Sequence, residues 1–229
     1  MLERILHYER DVFFFLNGSE SDYWDHFMWL FSSKAVWFPL VLYILFILCY
    51  KKNWKEVLFI LLAIVLVITI CDQFASHFCK PYFARFRPTY HPDFKDQVET
   101  VFGYRSGKYG FISSHAANAF GFATFSALLL RQKLYGYTLF IWSIVTAYTR
   151  IYLGVHFISD VVAGALAGVL FGYLVYLLYL FARRKILGND IKAPEFLYSN
   201  KEKNLISYGV YVSVFVMLIF NIYIVDLLR

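Results

Sequence analysis

The sequence Thr149-Arg150-Ile151-Tyr152-Leu153-Gly154-Val155-His156-Phe157-Ile158-Ser159-Asp160 lies where two long apolar stretches meet. His156 and Asp160 are four residues apart, so on a helix they share one face and the carboxylate can reach the imidazole. A carboxylate on one ring nitrogen fixes the tautomer and makes the other nitrogen more basic. Arg150 adds a planar, permanently charged group that suits phosphate. The plainer alternative is a helix end with a snorkelling arginine and a structural His–Asp hydrogen bond.

The composition indicates a membrane protein. Of the 229 residues, 60% are hydrophobic and 17% are charged, and runs of about 20 apolar residues are long enough to cross a bilayer. We therefore predict an all-α polytopic membrane helix bundle, with residues 1–229 as one integral membrane domain. The formal net charge of +6 does not indicate nucleic-acid binding, because much of the basic charge lies in short loops between apolar runs, where it sets topology.

The apolar runs predict about six transmembrane helices. Their expected ranges are 34–50, 57–78, 113–130, 134–148, 157–181 and 205–227. Residues 34–182 would then form a five-span core, and residues 205–227 an additional C-terminal span. Residues 1–33 mix charges with aromatic side chains, which predicts one or two interfacial helices with a break at Asn17-Gly18.

The distribution of basic residues predicts the orientation. Alternate loops carry Lys51, Lys52, Lys55, Arg131, Lys133, Arg183, Arg184, Lys185, Lys192, Lys201 and Lys203, so these loops are expected in the cytoplasm. The loop 79–112 and the turn 149–156 then share the opposite face. Basic residues retained there, against the topological preference, indicate an anionic ligand. We therefore expect a site that faces the periplasm or exterior from the plasma (inner) membrane.

Two further clusters lie on that face. In Lys80-Pro-Tyr-Phe-Ala-Arg-Phe-Arg87-Pro88 the lysine and Arg87 are seven residues apart, about two helical turns; the alternative is a basic segment that holds anionic headgroups. Ser113-Ser114-His115 opens the third predicted span, where serines cap a helix and its free N–H groups attract an anion. The alternative there is a pair of capping serines beside an interfacial histidine.

Taken together, the three clusters predict an oxyanion-transfer site. Cations and backbone N–H groups would hold phosphoryl oxygens, one histidine would attack, and the other would protonate the leaving oxygen.

The three clusters also form a recognisable pattern: Lys80-x6-Arg87-Pro88, Ser113-x-His115 and Arg150-x5-His156-x3-Asp160. This pattern resembles the signature of the type 2 phosphatidic acid phosphatase superfamily, in its bacterial integral membrane branch. That superfamily includes the lipid phosphate phosphatases and shares its site with the vanadium haloperoxidases. The resemblance covers residues 80–160 closely. Ser114 stands where the family has glycine, Ile112 where it has proline, and Thr149 where it has serine.

The resemblance implies a role for each residue. Lys80, Arg87 and Arg150 would bind the phosphate oxygens, and Ser113 with the backbone N–H of Ser114 would cap the phosphate. His156 would be the nucleophile that forms a phosphohistidine, Asp160 would orient it, and His115 would protonate the leaving group. No metal ion or other cofactor is required by this family's phosphatases.

The expected function is hydrolysis of a phosphomonoester or pyrophosphate on a membrane lipid in the extracytoplasmic leaflet. Undecaprenyl diphosphate, lipid A, phosphatidylglycerol phosphate and phosphatidic acid remain open as substrates. A lipid or anion transporter with the same basic site is the alternative of another class. It is less favoured, because the charges cluster at one face with only Asp72 deeper. The expected partners are the lipid substrate and the bilayer, without nucleic acid, and the oligomeric state is open.

Several residues are expected to lie outside the site. Asp72 is predicted to hydrogen-bond a neighbouring span, and Gly164, Gly168 and Gly172 to pack closely against another helix rather than form a dimer face. Four more side chains are candidates for contact with a substrate headgroup: Arg85, Tyr104, Arg105 and Lys108.

Overall fold

The computed structural model describes residues 2–186, 188 and 194–228, which form a bundle of α-helices. The helices are α1 (Leu2–Leu16), α2 (Asp22–Ser32), α3 (Phe38–Cys49), α4 (Trp54–Gln73), α5 (Lys80–Phe83), α6 (Ser114–Leu130), α7 (Lys133–Tyr152), α8 (Ile158–Ile186), α9 (Pro194–Leu197) and α10 (Asn200–Leu228). Short 3-10 turns cover Ala35–Trp37, Pro88–Tyr90, Lys95–Gln97 and Val101–Gly103. A π-helical turn, Phe74–Cys79, joins α4 to α5. The predicted all-α class is confirmed for the described residues, and Lys192 lies outside them.

The predicted count of about six spans is not confirmed. Among the described residues, three helical segments are long and apolar enough to cross a membrane: Trp54–Phe83, Ile158–Ile186 and Asn200–Leu228. A fourth is added if the bent pair Asp22–Ser32 and Ala35–Cys49, with an angle of 69°, is one span. Helix α6 has only 17 residues, and α7 carries polar side chains along its buried face.

Helix α6 packs unusually closely against α8. A Cβ atom built on Gly164 would lie 2.5 Å from the carbonyl oxygen of Ser113, and one on Gly168 would lie 2.3 Å from that of Ala117. A Cβ on Gly172 would lie 2.5 Å from the carbonyl oxygen of Gly121. The predicted close packing of this glycine stripe is therefore confirmed. It brings Ser113, at the start of α6, against the first turns of α8.

The basic loops that were predicted to share a face meet at one end of the bundle. Lys52 pairs with Glu202 at 2.7 Å, and Arg131 pairs with Glu195 at 3.1 Å. Arg183 lies 2.9 Å from the fully buried carboxylate of Glu56. These ion pairs join the loop after α3 to the beginning of α10, the end of α6 to α9, and the end of α8 to the beginning of α4.

The opposite end holds the loop 84–113, the α7–α8 junction and α1. The amide of Asn17 donates to the carbonyl oxygens of Tyr152 at 2.9 Å and Glu99 at 3.1 Å, and it accepts from the N–H of Glu99 at 2.9 Å. Within the loop, the N–H of Gly110 donates to the carbonyl oxygen of Arg85 at 2.9 Å. A buried side chain from the N-terminal segment thus holds the long loop against the end of α7.

We predict that Gly168→Ala destabilises the bundle by at least about 1–3 kcal/mol, because the added methyl group meets backbone atoms that cannot move aside. The melting temperature of the detergent-solubilised protein, followed by tryptophan fluorescence, should fall. Gly136→Ala in α7 is the control: its Cβ would meet Ala127 at 3.7 Å, an ordinary contact, and should not lower the melting temperature. An unchanged melting temperature for Gly168→Ala contradicts the packing described here.

Candidate active site

His156 and Asp160 form a buried pair at the α7–α8 junction. Their exposed fractions are 1% and 0%, and Nδ1 of His156 lies 3.4 Å from Oδ2 of Asp160. Asp160 is in the first turn of α8, and its Oδ2 also accepts from the N–H of Phe157 at 3.1 Å. The carboxylate therefore satisfies the start of its own helix while it faces the imidazole.

The opposite edge of the His156 ring faces Arg87. A terminal guanidinium nitrogen of Arg87 lies 2.6 Å from Nε2 of His156 and donates to the carbonyl oxygen of Val155 at 2.7 Å. An arginine N–H can only donate, so Nε2 must accept with its lone pair. The proton of a neutral ring is then on Nδ1, toward Asp160. The contact selects the tautomer in which Nε2 is unprotonated and accepts from Arg87.

The surroundings of His156 keep it uncharged. Burial lowers the pKa of His156 well below its ordinary value, and the positive charges of Arg87, Arg150 and Lys80 lower it further. Burial and the neighbouring Arg150 also lower the pKa of Arg87, to about 10, which leaves the guanidinium charged at neutral pH. A neutral imidazole therefore lies among cations that together favour an anion.

Arg150 approaches the same place from the end of α7. Its guanidinium is 2% exposed, donates to the hydroxyl of Ser32 and, at 3.3 Å, to that of Tyr104, and lies 5.7 Å from the centre of the Tyr104 ring. The Nε atoms of Arg87 and Arg150 are buried and find no hydrogen-bond partner among the residues described. Buried donors without partners are uncommon in proteins; these two belong to arginines predicted to hold phosphate, and Nε of Arg85 and Nε1 of Trp142 share the condition.

The remaining predicted site residues are Lys80, His115 and the two serines. Lys80 follows the π-helical turn, and its ammonium group donates to Ser76 at 3.0 Å. His115 lies in the first turn of α6, beside Ser114 on the wall of a cavity. Ser113 is the N-cap of α6.

Ser113 and Ser114 form the start of helix α6. The buried hydroxyl of Ser113 accepts from the N–H of Ala116 at 3.4 Å, and its own N–H donates to the carbonyl oxygen of Asp160 at 3.0 Å. Ser114 is the first residue of α6 and lines a cavity beside His115. The N-terminus of α6 is thus attached to the helix that carries Asp160.

Two residues that the sequence did not assign to the His156–Asp160 pair also contact it. Arg85 donates to Oδ1 of Asp160 at 2.6 Å and is 3% exposed, so it is not available to a headgroup. A Cβ on Gly110 would lie 3.0 Å from Oδ2 of Asp160 and 3.5 Å from Nδ1 of His156. Arg85 is two residues before Arg87 in the first basic cluster, so the sequence alone could have placed it near the site. The position of Gly110 follows only from the folded loop.

A cavity of about 500 Å³ extends from His115 into the bundle. Its lining includes the polar residues Ser32, Lys34, Asp72 and Ser114 beside His115, and apolar residues of α3, α4, α6 and α7. Volumes of this size accommodate small-molecule ligands or parts of larger ones. Asp72 makes no hydrogen bond to another span within the described part of the chain; it lines the cavity instead of the expected interhelical contact.

Within the ranges 2–186, 188 and 194–228 there is no group of three or more His, Cys, Asp or Glu side chains that could hold a metal ion. The cations at the site are side chains.

Comparisons with known proteins show which proteins the chain is similar to. Residues 56–184 match the family model described as the PAP2 superfamily. The chain is 44% identical over 231 residues to a lipid A 4'-phosphatase of Porphyromonas gingivalis, covering 100% of this chain and 97% of that protein. It is 39% identical over 178 residues to a lipid A 4'-phosphatase of Bacteroides thetaiotaomicron, covering 77% and 79% of the two chains. The crystal structure of Aquifex aeolicus LpxE is similar, with a TM-score of 0.52, 29% identity and coverage of 73% and 93%.

We predict that Gly110→Ala lowers the turnover rate about tenfold, because a shift of a few tenths of an ångström in the Asp160 carboxylate misaligns His156. The rate of phosphate release from the lipid substrate is the measurement. Gly107→Ala is the matched control, since a Cβ there meets nothing within 4 Å, and it should keep the wild-type rate. Wild-type turnover in Gly110→Ala would contradict the close approach of this backbone to the His–Asp pair.

A second prediction concerns pH and stability. Because the pKa of folded His156 is lowered, the unfolded chain binds a proton that the folded chain does not once the pH falls below about 6.5. Folding stability then decreases by up to about 1.4 kcal/mol per pH unit until the pH reaches the folded pKa. Replacing the imidazole in His156→Asn removes this loss. The fall in melting temperature between pH 7.5 and pH 5 should therefore be smaller by a few degrees in the variant.

His7→Asn is the control for this measurement. His7 is exposed on α1, so the variant should show the wild-type fall in melting temperature. An equal fall in wild type and His156→Asn would mean that burial and the surrounding cations do not hold His156 neutral.

Proposed function

The chain belongs to the PAP2 superfamily, and we propose that it removes the 4'-phosphate of lipid A through a phosphohistidine formed at His156. Family membership identifies the chain as a metal-independent hydrolase that acts on lipid phosphates. The observation that carries the proposed mechanism is the 2.6 Å contact from Arg87 to Nε2 of His156. It places the lone pair of that nitrogen on the Arg87 side of the ring, and a phosphate oxygen that took over the Arg87 N–H would free the lone pair to attack phosphorus.

The proposed reaction has two steps. Nε2 of His156 attacks phosphorus, the bond from phosphorus to the 4' oxygen of the sugar breaks, and His115 gives its proton to that oxygen. Water then attacks phosphorus and gives a proton to His115, the bond from phosphorus to Nε2 of His156 breaks, and inorganic phosphate leaves. Asp160 faces Nδ1–H and stabilises the positive charge that the ring gains in the first step.

The cations supply the electrostatic part of the catalysis. Lys80, Arg87 and Arg150 would bind the non-bridging oxygens, whose charge increases as the nucleophile approaches, in a site largely shielded from water. The N-terminus of α6, with Ser113 as its cap and the N–H of Ser114 in its first turn, adds backbone donors for the same oxygens.

The cavity supports a lipid substrate. Its lining includes His115 and Ser114 together with apolar side chains such as Ile64, Phe122 and Leu129, so a lipid whose phosphate lies beside His115 would have apolar surroundings for an acyl chain. A soluble phosphate ester has no group that would bury this surface. A phosphorylated glycolipid has both the polar head and the tails.

The relatives favour lipid A among the substrates that the sequence left open. The Porphyromonas gingivalis protein, named a lipid A 4'-phosphatase, aligns over the whole chain, and its name specifies a phosphomonoester. The comparisons give no support to undecaprenyl diphosphate. For location we propose the inner membrane with the site facing the periplasm, because the loops rich in lysine and arginine lie at the other end of the bundle.

The experiment is phosphate release by the detergent-purified protein in the presence of a chelator. The substrates are lipid A with both phosphates, lipid A that retains only the 1-phosphate, phosphatidic acid and a polyprenyl diphosphate. We expect rapid release from the first and at least about a 100-fold slower rate with the others, since a site built around one headgroup loses paired contacts with another. Equal or faster release from another lipid would overturn the substrate assignment.

The covalent step is tested separately. Rapid mixing with lipid A that carries ³²P at the 4' position should label the protein, and the label should be stable in base and labile in acid, as expected of a phosphorus–nitrogen bond. His156→Ala should release no phosphate and take up no label. Release by His156→Ala at the wild-type rate would show that another residue is the nucleophile.

A further inference from the structure

Arg85 is held between two carboxylates. One terminal nitrogen donates to Oδ1 of Asp160 at 2.6 Å, and the other donates to Oε1 of Glu9 at 2.6 Å. The Arg85 side chain is 1% exposed, and its guanidinium carbon lies 4.6 Å from the centre of the Phe157 ring. The guanidinium therefore bridges α1 and α8 and lies behind Asp160 as seen from His156.

Glu9 also binds the first turn of α8 directly. Its Oε2 accepts from the N–H of Ser159 at 2.7 Å, and its Oε1 accepts from the hydroxyl of Ser159 at 2.8 Å. The N–H groups in the first turn of a helix lack partners within the helix, and a negative charge there is favourable. Glu9 thus fixes the residue next to Asp160 as well as the arginine that holds Asp160.

The charges in this cluster do not cancel. Arg85 contributes one positive charge, whereas Glu9 and Asp160 contribute two negative charges. A pair consisting of Arg85 and Asp160 alone would be neutral and would offer little to an imidazole that becomes positively charged. With Glu9 present, a net negative charge remains at the position that faces His156, where low solvent exposure makes it effective.

We propose that Glu9 is a positioning residue for the reaction: through Arg85 and Ser159 it holds the Asp160 carboxylate toward His156 and preserves its charge. The inference rests on the proposed role of His156 as nucleophile. Glu9 lies in α1, outside residues 56–184 that match the family model, so a segment outside the matched region takes part in the site.

Helix α1 has an apolar anchor that does not depend on Glu9. Phe13 is fully buried, with its ring 5.3 Å from that of Phe157, and Leu6 is 6% exposed in the same apolar cluster. A change in the charge of Glu9 should therefore leave α1 docked. A substitution at Glu9 therefore tests the effect of its charge while α1 stays in place.

The test compares Glu9→Gln, which removes the charge at almost constant shape, with Glu9→Asp, which keeps it on a shorter side chain. We expect Glu9→Gln to lower kcat about 10- to 100-fold, the range typical of residues that orient a reactive group from behind. KM should stay within about twofold, because Glu9 is remote from the cavity. Glu9→Asp should recover part of the lost kcat.

Asp11→Asn is the matched control, since Asp11 is on the same helix, is exposed and pairs only with Arg10 within the described residues. It should keep the wild-type kcat. Each variant is assayed at a temperature where tryptophan fluorescence shows it folded. If Glu9→Gln does not fold, Glu9→Asp decides: a lower kcat at unchanged KM supports the proposal, and wild-type kcat overturns it.

Wild type and His156→Ala are run beside these variants. Wild-type kcat in Glu9→Gln, or an equal loss in Asp11→Asn, overturns the role of Glu9 while the reaction itself stands. No phosphate release by wild type, or full release by His156→Ala, instead overturns the proposed function on which this inference rests.

Discussion

The buried carboxylate of Asp160 is the constraint on which the rest of the site depends. A carboxylate in an apolar helix bundle is costly unless it is paired and hydrogen-bonded. Asp160 meets this requirement with the guanidinium of Arg85 and the N–H of Phe157, and its Oδ2 faces Nδ1 of His156 at 3.4 Å. Each of these partners belongs to a different part of the site. The loop after α5, the start of α8 and the candidate nucleophile are therefore fixed by one buried charge.

On the other side of His156, the buried charges are positive and lack carboxylate partners among the described residues. Arg87 and Arg150 are almost fully buried, and neither forms an ion pair with a carboxylate among the described residues. Their like charges repel each other, and they also disfavour a proton on His156. A bound phosphate would relieve both effects. The buried positive charges thus favour binding of an anion, and helix packing between α6 and α8 holds the charged groups in place.

The lipid-facing part of the protein follows from the same arrangement. The cavity is lined by His115 and by apolar side chains of the bundle, so an apolar tail bound in it would lie next to that histidine. Lys34 and Asp72 also line the cavity, and neither belongs to the three motifs.

The sequence by itself determined the helical class and the set of charged groups at the site. Runs of apolar residues in a bilayer form helices. Arg150, His156 and Asp160 are close in sequence, so they stay close in space wherever one helix ends and the next begins. The glycine stripe predicted close packing because its three residues, four apart, share one face of a helix. Tertiary structure decided which tautomer His156 adopts, since Arg87 reaches it from 69 residues away. It also decided that Arg85 serves Asp160 and that Glu9 joins them across 76 residues, because contacts between distant segments depend on how whole helices pack and leave no periodic pattern in the chain.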